Sequence, residues 1–157
     1  MKKINMNLLF LTKKNQVLLA LKKRGFGANR YNGIGGKIEL NETVEEALIR
    51  ESQEEIGVTP LKFEKMANIV FDEYFKGEPT LVEVDVYIAS KWTGKPTESE
   101  EVNPKWFKIN QIPFDQMWPD DLYWLPQVLD GKKISAKFKL DEKDTIISRK
   151  VKIVNRI

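Results

Sequence analysis

The chain is predicted to fold as a mixed α/β sandwich, with a mixed β-sheet packed between α-helices. Three observations predict it. Short runs of apolar alternation recur along most of the length. Two helical segments interrupt them. Strands and helices do not alternate one for one, as a doubly wound parallel fold requires. With 157 residues, 41% of them apolar, the chain has material for a buried core, and a single domain over residues 1–157 is expected.

Taken in order, residues 4–11 and 16–23 are apolar runs around Thr12-Lys13-Lys14-Asn15 and predict a hairpin. Lys22-Lys23-Arg24-Gly25-Phe26-Gly27 follows as a turned loop with Phe26 at its tip. Tyr31 to Gly36 leads through a loop at Gly35-Gly36 into the first helix. Thr43 with Glu46 three residues on is a capping-box signature, and Gly57 suits the position past the helix end. Lys62–Phe75 and Leu81–Ser90 read as strands joined by a turn at Lys76-Gly77-Glu78-Pro79. Lys91–Asn103, polar and containing Gly94 and Pro96, reads as a loop, and Trp106–Ile109 as a short strand. Met117-Trp118-Pro119-Asp120-Asp121 opens a second helix through Leu129, with Gly131 after its end. Runs at 132–140 and 145–154 close the chain as a hairpin.

Composition narrows the chemistry. There is no cysteine, which excludes disulfides, thiolate catalysis and Cys-based zinc sites, and no histidine, the commonest general base. Catalysis must use carboxylates, Lys, Tyr, Ser/Thr or a metal held through oxygen. The net charge of +3 is uneven: from Lys132 onward, Lys and Arg outnumber Asp and Glu by nine to three. These lysines are interspersed with strand residues, the pattern that keeps sheet edges soluble, so no stable nucleic-acid partner is expected. The N-terminal residues lack the form of a signal peptide and no run approaches membrane-spanning length. A cytoplasmic, monomeric protein without membrane association is the expectation.

The stretch from Gly36 to Val58 carries the chemistry. Glu51, Glu54 and Glu55 share one helix face, where like charges repel by about a few tenths of a kcal/mol per pair. Arg50 is placed to relieve this by pairing with Glu46 and Glu54. Such a face is either solvated or holds a hard divalent cation such as Mg²⁺, with Mn²⁺ the substitute. The seven positions Gly36, Glu42, Arg50, Glu51, Glu54, Glu55 and Gly57 have the spacing of the Nudix signature, and the chain resembles the Nudix hydrolases. Ser52 departs, standing where that family usually has an aliphatic residue.

The resemblance implies a Nudix fold and a metal site built from Glu51, Glu54, Glu55 and the Gly36 carbonyl, with Glu101 as a further ligand. It gives Glu55 and Glu51 the catalytic work and Arg50 the task of orienting them. Outside the signature, Lys22–Ala28, Asn32–Lys37, Trp106–Phe114 and Met117–Trp124 resemble the branch of the family that hydrolyses oxidised purine nucleoside triphosphates such as 8-oxo-dGTP and 2-oxo-dATP. That branch implies a small nucleotide substrate, cut to the monophosphate and pyrophosphate. A purine needs a flat apolar wall, which Trp118 or Phe26 supplies, and convergent polar groups, which Asn32, Asp120 and Asp121 supply. Lys22 is expected at the phosphates or sugar. Adjacent helical residues point about 100° apart, so Asp120 and Asp121 both aim inward only from a non-helical turn after Pro119. Asn7, Glu73 and Val82 depart from that branch at its pocket wall. Two alternatives stay open: a Nudix hydrolase of a dinucleoside polyphosphate, and a nucleotide- or RNA-binding module without catalysis.

Overall fold

A computed structural model describes residues 1–157. In chain order the elements are β1 (Lys2–Lys13), β2 (Gln16–Lys22), β3 (Tyr31–Asn32), β4 (Ile34–Lys37), α1 (Val44–Ile56), β5 (Thr59–Phe75), β6 (Glu78–Thr93), β7 (Val102–Lys108), α2 (Asp121–Leu129), β8 (Lys133–Leu140) and β9 (Ile146–Val154). Two short 3₁₀ turns, at residues 109–111 and 114–116, precede α2.

The strands form one mixed nine-stranded sheet, β3-β2-β1-β6-β5-β8-β9, with β4 also on β1 and β7 also on β2. β1 is its axis. It runs parallel to β6 over ten register pairs and antiparallel to β4 over four. Leu9, Phe10 and Leu11 are all buried because both faces of β1 are covered. Leu9 and Leu11 pack with Leu48 and Ile56 of α1, and Phe10 packs with Trp124, Leu125 and Val128 of α2. β2 alternates in the same way, with Leu18 and Ala20 on the α1 side and Val17 and Leu19 on the α2 side. The predicted sandwich is therefore present, one helix on each face.

Several boundaries differ from those expected. The hairpin of β1 and β2 pairs only at Thr12↔Val17 and Lys13↔Gln16, while the other edge of β2 pairs with β7 over its full seven residues. β6 runs on to Thr93 and β7 begins at Val102, so the loop expected over Lys91–Asn103 shrinks to its middle. Gly35-Gly36 is not a loop but part of β4. The reason is close approach: a Cβ at Gly35, whose φ is +147°, would overlap the Asn7 carbonyl oxygen. α2 begins at Asp121 instead of Met117, and Trp118–Asp120 forms a turn in front of it. Pro126 lies inside α2; the hydrogen bond it cannot make falls opposite Leu122, an exposed residue.

Candidate active site

The acidic helix is held at both ends by its own sequence. Thr43 Oγ1 accepts from the Glu46 N–H and Glu46 Oε1 accepts from the Thr43 N–H, the reciprocal capping box. Gly57 closes the other end in the left-handed conformation at φ +68°. Glu46 is thus committed to the cap and does not pair with Arg50, contrary to expectation. Arg50 reaches back to the loop instead, donating to Glu42 from Nε at 2.6 Å and from Nη2 at 3.0 Å. Its Nη1 donates to Glu51 at 2.9 Å and to Glu54 at 3.4 Å. The Arg50 guanidinium and the Glu39 N–H hold the Glu42 carboxyl down at about 2, so Glu42 stays ionised.

Glu55 meets the opposite surroundings. Burial, then the negative charge of Glu51, push its carboxyl up to about 8, against the Gly35 N–H that donates to it at 2.9 Å. Gly36 packs against Glu51, where a Cβ would lie 3.0 Å from Glu51 Oε1. β4 therefore brings Gly35 and Gly36 directly under the two carboxyls. This donor set is all oxygen, which suits a hard divalent cation and not a soft metal. As arranged, no three acidic side chains surround one point. Glu54 is exposed and turned to Arg50, and Glu101 is taken by Arg24 at 2.6 Å, which lowers its pKa.

A cleft of about 960 Å³, counting the solvent it opens onto, runs from Glu55 to the start of α2. Lys22, Phe26, Asn32, Trp118, Asp120 and Asp121 all line it. Its aromatic wall is made by Phe26, 4.9 Å from Phe75 and 5.1 Å from Trp118 between ring centroids. Gly27 lets the Phe26 loop close on Trp118, where a Cβ would sit at 3.1 Å. Asn32 Oδ1 accepts from the Gly33 N–H at 2.8 Å, which leaves its Nδ2 as the free donor.

Asp120 and Asp121 are 3% and 2% exposed. The turn before α2 turns both inward. Trp124 Nε1 donates to Asp120 Oδ2 at 2.8 Å, and the Trp118 N–H donates to Asp121 Oδ2 at 3.2 Å. Burial pushes both carboxyls up, and the charge of Asp120 pushes Asp121 further, so the pair holds a proton well above the usual carboxylate range. Arg30 partly opposes this.

Arg30 and Glu73 also line the cleft; the sequence places Glu73 at the pocket wall only as a departure from the family branch, and gives Arg30 no place there. Arg30 lies 4.1 Å over the Trp118 ring and 3.9 Å from Asp144 in the β8–β9 turn, with Nη1 buried and unpartnered. Nothing local to Arg30 signals this. Glu73 does carry a signal: the period of two along β5 places it on the face of Phe71 and Phe75, where a charge is out of pattern.

A model of the NUDIX domain matches residues 1–128. The chain is 44% identical to the oxidized purine nucleoside triphosphate hydrolase of Mus musculus, over 94% of each chain. It is 42% identical to the Danio rerio protein of the same name, over 93% of this chain and 92% of that one. Among solved structures, the MutT protein from Bacillus halodurans superposes with a TM-score of 0.83 at 21% identity, covering 94% of this chain and 97% of the other, a likeness of fold. With the loop–helix signature folded around Glu51 and Glu55 and the match extending over most of its length, this chain belongs to the NUDIX family.

Proposed function

We propose that this chain is a pyrophosphohydrolase of oxidised purine (deoxy)nucleoside triphosphates, such as 8-oxo-dGTP and 2-oxo-dATP, which it converts to the monophosphate and pyrophosphate. The observation that carries this reading is the single cleft with a purine-sized aromatic wall and a buried pair of acids at one end and Glu55 at the other. The relatives named as oxidized purine nucleoside triphosphate hydrolases support it. The activity would remove damaged nucleotides from the pool used for DNA synthesis. We place the protein in the cytoplasm as a monomer acting in one domain over residues 1–157, without stable nucleic-acid partners; no helix is long and apolar enough to cross a membrane.

The base lies against Phe26 and Trp118. Asp120 and Asp121, sharing one proton, accept from N–H groups of the base edge and donate to its carbonyl, and Asn32 Nδ2 donates beside them. Lys22, whose charge acts on both Glu55 and Glu101, meets the phosphates. Arg50 holds Glu51 in place while Glu42 anchors Arg50. Glu55 would lose its own proton with a cation beside it and is then the proton acceptor for the attacking water, its position set by the Gly35 N–H.

Nudix hydrolases generally use divalent metal ions, and we propose Mg²⁺ here. Glu51 and Glu55 would hold it, with Glu54 and the Gly36 carbonyl as further oxygen donors; the bound ion supplies charge neutralisation at the phosphates and a more acidic water. The deciding experiment is kcat/KM for 8-oxo-dGTP against dGTP with Mg²⁺ present, with the products identified. A ratio near one, or release of orthophosphate in place of pyrophosphate, rejects the reading.

A further inference from the structure

Glu73 is a carboxyl with no partner in the protein. It is 8% exposed, yet no side chain or main-chain group hydrogen-bonds to it and no cation pairs with it. On β5 it lies between Phe71 and Phe75 on the inward face. Its cross-strand neighbour Thr80 directs its hydroxyl to the Glu78 carbonyl instead. On the other side β8 brings Leu140, a buried apolar residue that lines the same cleft. The charged groups that bear on it are Asp120 from the turn before α2 and Asp144 from the β8–β9 turn, both acidic. Burial, then these two charges, push Glu73 up to about 7, so its protonated form is populated near neutrality.

The Glu73 carboxyl oxygens reach the open cleft, yet burial of the side chain disfavours their charge, a cost that an apolar residue here would not carry. Glu73 opens into the cleft that holds Phe26, Trp118 and Asp120. A protonated carboxyl is both donor and acceptor. That is the complement of a lactam, the N–H and C=O pair that ring oxidation creates. An unoxidised purine has C–H and a bare ring nitrogen at the same place, so it offers the carboxyl no two-point partner.

Resting on the function proposed above, we propose that Glu73 is a specificity-determining residue of the base pocket, pairing at two points with the lactam that oxidation adds to the purine ring. For 8-oxoguanine, Glu73 then favours the damaged base over the normal one, a task separate from that of Asp120 and Asp121, which read the edge that guanine and 8-oxoguanine share.

The experiment is kcat/KM for 8-oxo-dGTP over dGTP in the parent, Glu73→Leu and Glu73→Gln, with thermal midpoints of all three. Leucine removes both donor and acceptor, and the ratio is expected to fall about ten- to a hundredfold. Glutamine keeps an N–H and a C=O side by side, and its ratio is expected to stay within about threefold of the parent's. If Glu73→Leu does not fold, Glu73→Met carries the same comparison. An unchanged ratio in the leucine variant, or an equal fall in both variants, overturns the proposal and leaves the proposed function standing. A change confined to the preference between 8-oxo-dGTP and 8-oxo-GTP also overturns it, since Glu73 would then be reading the sugar. A parent with no preference for 8-oxo-dGTP instead rejects the function itself, and the inference with it.

Discussion

Glu42 beside α1 is half-buried and Asp121 at the start of α2 fully buried, and the two carboxyls meet opposite surroundings. Glu42 accepts two hydrogen bonds from Arg50 and its pKa falls to about 2; Asp121 has Asp120 beside it and its pKa rises. Beside the phosphate end of the cleft, Arg50 and Glu42 thus form a fixed ion pair that stays charged, while Glu55, which lines the cleft there, holds its proton up to about pH 8. The base end is framed by acids that hold protons and change between donor and acceptor. A triphosphate carries the same charge whatever base it bears, so a fixed network suits it. Bases differ in where they present donors and acceptors, so titratable groups suit them. If this division holds, substitutions at one end change the rate for every nucleotide, and substitutions at the other change the choice among them.

The largest expected effect is at the phosphate end. Glu55→Gln is expected to lower kcat by about 10²–10⁴ for 8-oxo-dGTP and dGTP alike, leaving their ratio intact. Its thermal midpoint should stay level, because Glu55 already holds a proton near neutrality in the metal-free fold and the amide oxygen can still accept from the Gly35 N–H. Steady-state kinetics on both nucleotides checks this; near-parental turnover removes Glu55 from the chemistry.

Next come Asp120→Asn and Asp121→Asn, for which kcat/KM should fall about ten- to a hundredfold, unequally for 8-oxo-dGTP and 2-oxo-dATP. An amide cannot exchange donor for acceptor at one atom, while a shared proton can. Equal losses on the two substrates would mean that the pair only holds the turn before α2, where Trp124 and the Trp118 amide already bind it.

The same contrast explains how much of the site is legible in sequence. The phosphate end is contiguous, so its capping box, its Gly57 end and its carboxylate spacing follow from helical geometry. What sequence misplaces there is long-range. Arg50 was assigned to Glu46 at helical spacing, but the cap competes for Glu46 and the loop supplies Glu42. Gly35-Gly36 reads locally as a turn, and only the neighbouring β1 backbone shows that these glycines serve close approach. The base end is assembled from β2, β3, β5 and the turn before α2. There, resemblance nominated Asn32, Asp120 and Asp121, but no local pattern places Arg30 over Trp118. Glu101, expected as a further metal ligand, pairs with Arg24 of the β2–β3 loop, a contact across 77 residues that no local pattern signals.

The division also predicts a pH dependence of stability for the free protein. Glu73 has a folded pKa raised from 4.5 to about 7, so the fold binds its proton more tightly than the unfolded chain does. Stability from this group is fully present below about pH 4.5 and is lost as pH rises to about 7, a change on the order of 1–3 kcal/mol. Asp120 and Asp121 act in the same direction; Asp144 and Arg30 are the other charges on that side. Glu42, with its pKa lowered, works oppositely and loses its contribution only as pH falls from about 4.5 towards about 2. The midpoint of thermal unfolding should therefore drop between pH 5 and 8 in the parent, and drop less in Glu73→Gln. Parallel curves would show that Glu73 is not protonated by its surroundings.

Arg50→Met should cost less, because the Arg50 side chain is partly solvated and its pairs are screened: about 1–2 kcal/mol, or about 2–8 °C in midpoint. Added salt should narrow the gap between parent and variant. A gap insensitive to salt would mean that packing of the arginine stem, and not its charge, matters.

The smallest effect separates the signature's chemistry from its scaffolding. Ser52 departs from the aliphatic residue usual in the family, and it is fully buried behind α1 with its hydroxyl donating to the Leu48 carbonyl at 2.7 Å. That carbonyl belongs to the helix's own ladder, so the hydroxyl bond is supplementary. Ser52→Ala loses one hydrogen bond but gains helix propensity, and removes no group whose partner is then left bare. The two changes nearly cancel, and a shift within about 0.5 kcal/mol is expected, with kcat and the 8-oxo-dGTP preference unchanged. Ser52 lies about 60° around α1 from Glu55 and about 100° from Glu51, on the side that carries Leu48 and Ile56. A loss of kcat without a loss of stability would show that the back of the helix sets the angle of its carboxyls, and that the two ends of the cleft are less independent than their electrostatics imply.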